Sequence, residues 1–459
     1  MPVNSFENYP MSWKPTIDKN EKSLYRTLAK QLEQDIINGV LLPGTKLPPQ
    51  RELADYLDLN VSTVSKAFKV CELKGLLSAT IGSGTFVSYD ALTNACLLTE
   101  GNPHNLIEMG ATVPENSSNE VLVQLLKSMI NQPIANKWFS YNRPNDAYWQ
   151  KDAAAMFIKK CGYETSREHI LFSSGGQNAI VAILAGIFRY GDKIGVDDHI
   201  YSGIKTAANM LGIQLVPIKA KNGSMDFEAL RYYCKNENLN GVYLIPDCQN
   251  PTTQTMTLSR RKEIATVVKE QSIWLIEDAT YHLMNEKPIL PISSLVPGQS
   301  IYIASLSKTV APGLRLGYVV VPLTLKSSLS LALYNLNVSV SPLMTELSAR
   351  LIVSGQIDTI IENHKKKTKE RNRLVNKYFL SSVCRGDENC IFRWLYLPPN
   401  FTGTNFEKMA LQKGIQVYAA ERFAVGNTVP EKAVRIAICA PGSISELERG
   451  LKLLQQLYK

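Results

Sequence analysis

SLSKTVAPGLRLGY, residues Ser305 to Tyr318, places Lys308 between two serines on one side and Arg315 on the other, in an otherwise apolar stretch punctuated by glycine. It directly follows SIYIA, an apolar run that is typical of a buried strand. An ammonium group buried without a partner is costly, so a lysine at this position indicates a specific role. The end of this strand is therefore the first candidate for a functional site.

Apolar runs of strand length recur on both sides of this stretch and alternate with helical patterns such as GQNAIVAILAGIFRYG and SRRKEIATVVKEQ. The runs are HILFSS, KIGVDD, QLVPI, GVYLIPD, SIWLIED, SIYIASLS and LGYVVVP. This alternation predicts a mostly parallel sheet covered by helices, with ligands at the carboxyl ends of its strands. Beyond about residue 335, ENCIFRWLYL, GIQVYAA and AVRIAIC predict a smaller α+β lobe.

Three polar residues fall directly after predicted strand ends, namely Asn250, Asp278 and Lys308. The loop FSSGGQNA opens a helix and offers free backbone N–H groups to a phosphate, and the serines and arginine of the opening stretch add further donors. A lysine, an acid and a phosphate cup together favour pyridoxal phosphate. Each residue also has a simpler interpretation, since Asp278 could cap a helix and Asn250 could be a turn residue before proline.

The first ninety residues carry a different pattern. Leu24, Leu28, Leu32 and Ile36 recur every four residues and predict a helix that stops at Gly39. RELADYL predicts a second helix, VSTVSKAFKVCELKG a third, and LLSATIGSGTFVS two strands around GSG. This is the layout of a winged helix-turn-helix, although a small helical domain with a solvated polar face would show similar spacing.

The composition permits nucleic-acid binding without requiring it. The 459 residues carry a net charge of +9, and 45% are hydrophobic, which suits a globular chain of two or three domains. No apolar run could span a bilayer and no secretion signal opens the chain, which predicts a cytoplasmic protein. The eight cysteines form no C-x-x-C spacing. We therefore expect reduced thiols, with no metal site and no disulfide framework.

The C-terminal motifs resemble those of fold-type I aminotransferases, class I/II. SSGGQNAI, DDHIYSGIK, IPDCQNPTTQTM, IEDATYHLM and SLSKTVAPGLRLGY occur in that family's order and approximate spacing. The resemblance implies that pyridoxal phosphate forms an internal aldimine with Lys308 and that Asp278 keeps its pyridine nitrogen protonated. It also implies that Asn250 and Tyr281 hydrogen-bond the ring oxygen and that Tyr201 stacks on the ring.

The same resemblance implies sites for two anions. The phosphate would be bound by Gly176 and Gln177 through their backbone, and by Ser305, Ser307 and Arg315. Arg435 in AVRIAIC matches the arginine that grips an amino acid's α-carboxylate, although alone it could be a surface charge on an edge strand. Gly203 stands where some relatives have a second arginine, which argues against an ω-amino acid as effector.

The N-terminal region resembles the GntR group of bacterial regulators, through PGTKLPPQRELADYLDLNVSTVSKAFKVCELKGLL followed by GSGTFV. The resemblance implies that double-stranded DNA is contacted by Arg51, Ser62, Thr63 and Lys66, with Gly84 at the wing tip. One departure is Asn60-Val61, where the family often has Ser-Arg. It removes an arginine that would read bases or phosphates.

A winged helix-turn-helix joined to an aminotransferase-like domain is the architecture of the MocR/GabR subfamily. The predicted domains are an N-terminal arm (1–20), the winged helix-turn-helix (21–88), a linker (89–120) and the aminotransferase-like domain (121–459), divided at about 334/335 into a large part and a small lobe. The resemblance implies a homodimer that exchanges its DNA-binding domains. It further implies a transcription regulator that senses pyridoxal phosphate or an amino compound through the Lys308 aldimine.

Two other functions fit the same residues. The chain could be a working aminotransferase with a DNA-binding appendage, or its C-terminal domain could be a cofactor-free dimerisation platform, which the intact lysine and acid disfavour. The basic stretch HKKKTKERNR, residues 364–373, is interpreted as the solvated face of a helix, with an extended DNA footprint as the alternative.

Overall fold

The computed structural model describes residues 11–19, 21, 23–80, 84–91, 106–116, 118–141, 148–221 and 223–459. The first half of the predicted arm, nearly half of the predicted linker (92–105 and 117) and the tip of GSG before Gly84 lie outside these ranges. Within them, the chain folds as the sequence predicts, into a winged helix-turn-helix followed by an α/β domain and a smaller lobe.

The winged helix-turn-helix consists of three helices and a two-stranded wing: α1 (Leu24–Ile37), α2 (Gln50–Leu57), α3 (Val61–Leu73), β1 (Leu77–Thr80) and β2 (Gly84–Val87). The four-residue spacing in α1 buries Leu28, Leu32 and Ile36 against the other two helices, as predicted. Asn60 caps α3, because its Oδ1 accepts a hydrogen bond 2.8 Å long from the amide of Ser62. The departure at Asn60 therefore keeps a good N-cap residue.

All seven predicted runs form one sheet. Its strands are β4 (Ile170–Ser173), β5 (Lys193–Asp197), β6 (Gln214–Ile218), β9 (Gly241–Leu244), β10 (Trp274–Asp278), β11 (Ser300–Ser305) and β12 (Gly317–Val320), with a hairpin β7 (Ala220–Lys221) and β8 (Ser224–Met225) outside it. The order is β4-β12-β11-β10-β9-β5-β6. Only β12 runs antiparallel to its neighbours in this sheet. The prediction of a mostly parallel sheet is confirmed.

Helices flank the sheet and supply most of its hydrophobic cover. They are α4 (Asn119–Ile130), α5 (Tyr148–Lys160), α6 (Gly176–Ile187), α7 (Ser202–Leu211), α8 (Phe227–Glu237), α9 (Leu258–Gln271), α10 (Ile292–Leu295) and α11 (Leu323–Asn337). The central strands β9 and β11 are buried along their whole length. This burial on both faces explains their continuous apolar sequence.

The small lobe is built on a four-stranded sheet of order β13-β14-β17-β16. Its elements are α13 (Gln356–Tyr378), β13 (Cys384–Arg385), β14 (Phe392–Tyr396), α14 (Gly403–Gln412), β15 (Ile415–Gln416), β16 (Tyr418–Ala419), β17 (Ala433–Ala437) and α15 (Ile444–Tyr458). Helix α12 (Pro342–Val353), predicted within this lobe, packs instead on α5 of the large domain. Part of the predicted linker also differs, because β3 (Ile107–Glu108) pairs in parallel with β15.

The basic stretch 364–373 is a solvated face only in part, since Lys366, Lys367 and Arg373 are exposed. His364 and Arg371 are buried, and Arg371 donates two hydrogen bonds of 3.0 Å to the carbonyls of Ile438 and Pro441. Lys365, Lys367 and Lys369 pair with acidic residues. Four of the six lysines and arginines in this stretch therefore bond to partners within the chain. This argues against an extended DNA footprint.

Cys248 in the loop after β9 and Cys390 in the small lobe, 142 residues apart in sequence, lie against each other with their Cα atoms 6.1 Å apart. The expectation of reduced thiols stays a prediction for this pair. No local spacing signals the contact, because the fold alone brings the two cysteines together. In the described part of the chain, no helix is long and apolar enough to cross a membrane.

A buried carboxylate ties the loop after β9 to the segment after β10. Asp247 accepts hydrogen bonds from Arg261 (2.6 Å), His282 (2.8 Å) and Asn285 (2.6 Å), and it is 1% exposed. Burial raises its pKa, but His282 and Arg261 outweigh burial, so the pKa lies below its ordinary value. The stabilisation is thus present at neutral pH and is lost as pH falls through that lowered pKa.

We expect Asp247→Ala to lower the free energy of unfolding by about 3–5 kcal/mol, because it leaves the Arg261 guanidinium buried and unpaired. Urea denaturation of the two proteins measures this. The control is Asp358→Ala, which removes an exposed pair with Lys160 and should change the free energy by less than about 1 kcal/mol. Equal losses in both variants would contradict the role assigned to Asp247.

Candidate cofactor and effector site

The site lies at the carboxyl ends of β10 and β11, where the sequence predicted it. Lys308 follows β11 in a turn, and its Nζ donates a hydrogen bond to the carbonyl of Thr112. Burial lowers the pKa of Lys308 to about 8, and the positive charges of Arg435 and Arg315 act in the same direction. A fraction of this lysine is therefore a neutral amine near pH 7, able to react with a carbonyl group.

Asp278 ends β10 and is 5% exposed. Its Oδ2 accepts a hydrogen bond 2.8 Å long from Tyr243, and its Oδ1 accepts one from the hydroxyl and one from the amide of Thr280, the latter 3.1 Å long. Burial raises the pKa of Asp278, against these hydrogen bonds and the nearby Lys308. Its carboxylate is held in one orientation rather than capping a helix.

The residues predicted to bind the phosphate lie around the start of α6. Gly176 opens the helix, and a Cβ there would lie 3.6 Å from the Cβ of Ser305. Arg315 donates a hydrogen bond 3.0 Å long to the carbonyl of Ser174. A Cβ at Gly175, which has φ +90°, would lie 2.9 Å from Nη2 of Arg315, so this turn needs glycine.

Two buried polar atoms beside this helix start have no hydrogen-bond partner, namely Oγ of Ser307 and Oε1 of Gln177. Buried polar atoms without partners are rare in proteins and need an explanation. An anion or ligand held between the α6 N-terminus and the turn after β11 would supply one. The donor set of backbone amides, hydroxyls and a guanidinium could hold a phosphate group.

Arg435 lies in β17, between β14 and β16, and is 1% exposed. It donates hydrogen bonds of 2.6 Å to Oδ1 of Asn250 and to the carbonyl of Gly110. Its Nε has no partner. Burial lowers the pKa of Arg435 to about 10. The interpretation as a surface charge on an edge strand is therefore wrong, and the guanidinium could bind a carboxylate.

The two predicted ring-contacting tyrosines lie beside these groups. Tyr281 is 4% exposed, and burial raises its pKa to about 12 while Thr112 and Asn250 act as hydrogen-bond partners that lower it. Tyr201 is the N-cap of α7, and burial raises its pKa as well. Both hydroxyls therefore stay protonated at neutral pH and can donate hydrogen bonds.

The predicted DNA-contacting side chains are placed on α2 and α3. Arg51, Ser62 and Lys66 are exposed, Thr63 is half-buried, and the exposed Gly84 begins β2 with φ +108°. Lys69 and Lys74 form ion pairs, whereas Arg51 and Lys66 have none among the described residues. The two unpaired cations remain available to a polyanion.

Several residues that contact the candidate cofactor site or the wing were not predicted from the sequence. Tyr243 is a buried residue of β9 whose sequence context is that of any core aromatic, although its hydroxyl binds Asp278. Gly110 and Thr112 contact Arg435 and Lys308 through backbone carbonyls, which every residue has. Lys46, whose Cε lies 2.9 Å from the Cβ position of Gly84 at the wing, could have been suspected from its charge. The other three give no local signal.

Gly203 is required by packing at this site. A Cβ there would overlap Oε1 of Gln177 and the ring of Tyr201. The amide of Gln177 also donates a hydrogen bond 2.8 Å long to the Gly203 carbonyl. An arginine at position 203 therefore does not fit this arrangement.

We expect Gly203→Ala to lower the free energy of unfolding by about 1–3 kcal/mol, because a methyl group is forced into a packed site. Chemical denaturation measures the loss. Gly298→Ala is the matched control, since a Cβ there meets nothing within 4 Å. If both variants unfold at the wild-type denaturant concentration, the packing at Gly203 is not restrictive.

Comparisons with known proteins assign a family to each half of the chain. Residues 105–454 match the family described as "Aminotransferase class I and II", and residues 24–87 match "Bacterial regulatory proteins, gntR family". Among solved structures, an archaeal alanine:glyoxylate aminotransferase is similar with a TM-score of 0.72 at 22% identity, over 78% of this chain and 91% of that one. At this identity the likeness shows the fold.

Relatives that match most of this chain are regulators by name. YdeF of Bacillus subtilis, named as an uncharacterized HTH-type transcriptional regulator, is 60% identical over 100% of this chain and 99% of its own length. The probable rhizopine catabolism regulatory protein MocR of Rhizobium meliloti is 21% identical over 83% of this chain and 80% of its own. The chain therefore belongs to the MocR/GabR-type transcription regulators of the GntR family, which join a winged helix-turn-helix to an aminotransferase-like domain.

Proposed function

We propose that this transcription regulator binds pyridoxal phosphate in the crevice at the ends of β10 and β11 and there senses an amino compound. The observation that carries the proposal is that Arg435 and Asp278 lie close enough to Lys308 for their charges to act on it, while Ser307 and Gln177 keep unpartnered buried atoms. Those atoms and the start of α6 fit a phosphorylated ligand. No comparison identifies the effector.

The residues of the chain would divide the work as follows. Lys308 would hold the aldehyde carbon covalently, and Asp278, oriented by Tyr243, would hold the proton on the ring nitrogen. Asn250 and Tyr281 would hydrogen-bond the ring oxygen. When bound, the group supplies an electrophilic carbon and an electron-withdrawing ring.

The charges of the site favour an α-amino acid or pyridoxal phosphate as effector. Arg435 is held by a carbonyl and a side-chain amide and forms no ion pair among the described residues, so a ligand carboxylate would meet an uncompensated cation. Charge-assisted bidentate pairing of this kind is strong. Packing around Gly203 leaves no room there for the second arginine that an ω-carboxylate would need.

Transamination is the second candidate function, since a lysine, an acid and a carboxylate-binding arginine could also serve a half-reaction. A coupled assay with a panel of amino donors and 2-oxoacids separates the two. Sustained turnover at about 1–1000 per second would favour the enzyme. A regulator that uses the same residues for sensing needs only to bind.

The proposal includes a homodimer. Phe139 ends the 3-10 helix Pro133–Phe139 and is 75% exposed, and Tyr141, two residues later, is 81% exposed. Tyr334 of α11 is 58% exposed. Large exposed aromatic side chains are enriched at protein interfaces. The winged helix contacts the C-terminal half of its own chain, so the exchange of DNA-binding domains between subunits stays a prediction; sedimentation of the purified chain tests the dimer.

We expect Lys308→Ala to abolish covalent attachment of pyridoxal phosphate. Borohydride reduction followed by peptide mass spectrometry should label wild-type Lys308 and no residue in the variant. Because the pKa of Lys308 is lowered to about 8, the attachment rate should rise with pH up to about that value and then level. Labelling of another lysine, or an unchanged visible spectrum in Lys308→Ala, would contradict the proposal.

We also expect Arg51→Ala and Lys66→Ala to weaken binding to a duplex selected by the wild-type protein from a random pool. Each should reduce the slope of log affinity against log salt by about 1, because one phosphate contact is lost. Lys69→Ala on the same helix, already paired with Glu72 at 3.4 Å, is the control and should leave the slope unchanged. Equal slopes in all four proteins would exclude these contacts.

A further inference from the structure

The winged helix is anchored to the C-terminal half of the same chain directly after its last strand. The amide of Tyr89 donates a hydrogen bond 2.8 Å long to the carbonyl of Gly426, and the amide of Gly426 donates one of 2.8 Å to Oδ2 of Asp90. A Cβ at Gly426 would lie 3.1 Å from Oγ of Ser78 in β1. Gly426, the last residue of the segment 420–426 (hereafter the 420–426 loop), therefore contacts both strands of the wing at its base, away from the tip.

A fully buried ammonium group reinforces this anchor. Nζ of Lys205 lies 3.1 Å from Oδ1 of Asp90 and forms an ion pair with it. The same Nζ donates hydrogen bonds to the carbonyls of Arg422, at 3.1 Å, and of Ala424. Removing Asp90 from a buried cation is strongly unfavourable. The wing end is thus held to the large domain and to the 420–426 loop by one side chain.

Helix α7 connects this anchor to the candidate site. Tyr201, the N-cap of α7, Lys205 and Asn209 are four residues apart and lie along one side of the helix. At its far end, Oδ1 of Asn209 lies 3.2 Å from the position that a Cβ would take at Gly75, between α3 and β1. One helix of ten residues, about 15 Å long, therefore reaches from the site to the winged helix.

The 420–426 loop makes a second connection to the site. The ring of Phe423 lies 4.8 Å from the guanidinium carbon of Arg435. The loop is also paired with the segment that leads into α7, because the amide of Ile200 donates to the carbonyl of Phe423 (2.9 Å) and the amide of Val425 donates to that of Asp198 (3.0 Å). A displacement of Arg435 or of Tyr201 would therefore change the contacts of the same loop.

We propose that Lys205, Asp90 and the 420–426 loop form the coupling element that transmits occupancy of the site to the winged helix. The inference rests on the proposed function. A ligand on Arg435 acts through Phe423, a ligand against Tyr201 acts through α7, and both routes end at the Asp90 contact. Regulation then requires that the ligand bind the docked and the released arrangement with different affinity.

Asp90→Asn and Lys205→Met test the coupling element in the full-length protein. Asp90→Asn keeps the shape and an acceptor for Gly426 but removes the negative charge, and Lys205→Met removes the positive charge at similar length. The quantity measured is the affinity for the selected duplex with and without saturating pyridoxal phosphate. Wild type should show a ratio within about 5–150, the usual range for coupled sites, and both variants should bring it below about 2.

Hydrogen exchange of the ligand-free proteins gives a readout that does not depend on the cofactor. The amides of Tyr89 and Gly426 should exchange faster in Asp90→Asn and in Lys205→Met than in wild type, because their anchor is weakened. Glu237→Gln, which breaks the ion pair of 2.5 Å with Lys193 at the amino end of β5, is the matched control. It should change neither the affinity ratio nor these amides.

The outcomes separate the inference from the function on which it rests. Unchanged exchange at Tyr89 and Gly426, or a wild-type affinity ratio in folded variants, overturns the coupling element while borohydride labelling of Lys308 persists. A ratio of one in wild type that still labels Lys308 also overturns it. Absence of labelling in wild type overturns the proposed function first, and the inference with it. Thermal unfolding of each variant confirms that the comparison is made between folded proteins.

Discussion

The buried guanidinium of Arg435 is the contact on which the arrangement of the C-terminal half depends. It joins three parts of the chain, since it binds Asn250 of the large domain and the carbonyl of Gly110 before that domain, and it is itself part of the small-lobe sheet. The rings of Phe392, Tyr418 and Phe423 surround it within 4.8–5.6 Å. A buried cation with neutral partners fixes the lobes relative to one another and remains able to bind an anion.

The electrostatic balance around the crevice is positive. Lys308, Arg315 and Arg435 act on one another, and Asp278 is the acid that offsets them at Lys308. An excess of cations in a water-poor site lowers the pKa of the lysine and favours ligands with phosphate or carboxylate groups. The same field would disfavour amines without an acidic group, which narrows the chemistry that the site can recognise.

The sequence predicted the sheet well and the contacts between domains poorly, for physical reasons. Strands such as β9 and β11 are buried on both faces, so they must be continuously apolar, and strand ends collect ligand-binding residues in any parallel sheet. The sequence left two positions open for Arg435, a surface of an edge strand or the interior, because alternation alone does not separate an edge strand from a central one. The ion pair of Lys205 with Asp90 and the contact of Cys248 with Cys390 join distant segments, and no local spacing encodes such contacts.

The segment 106–116 gives the connection between the two halves a second role. It adds β3 to the small lobe, and its backbone carbonyls contact both Arg435 and Lys308. The connection is thus part of the candidate site, and separating the two halves within it would remove contacts of Arg435 and Lys308. A C-terminal half cut at residue 121 would retain the five aminotransferase-like motifs that begin at Ser173, yet it would lose the first residues of the family match and the two carbonyls that contact Arg435 and Lys308. In this architecture the candidate site is completed by the stretch of chain that leads to it from the winged helix-turn-helix.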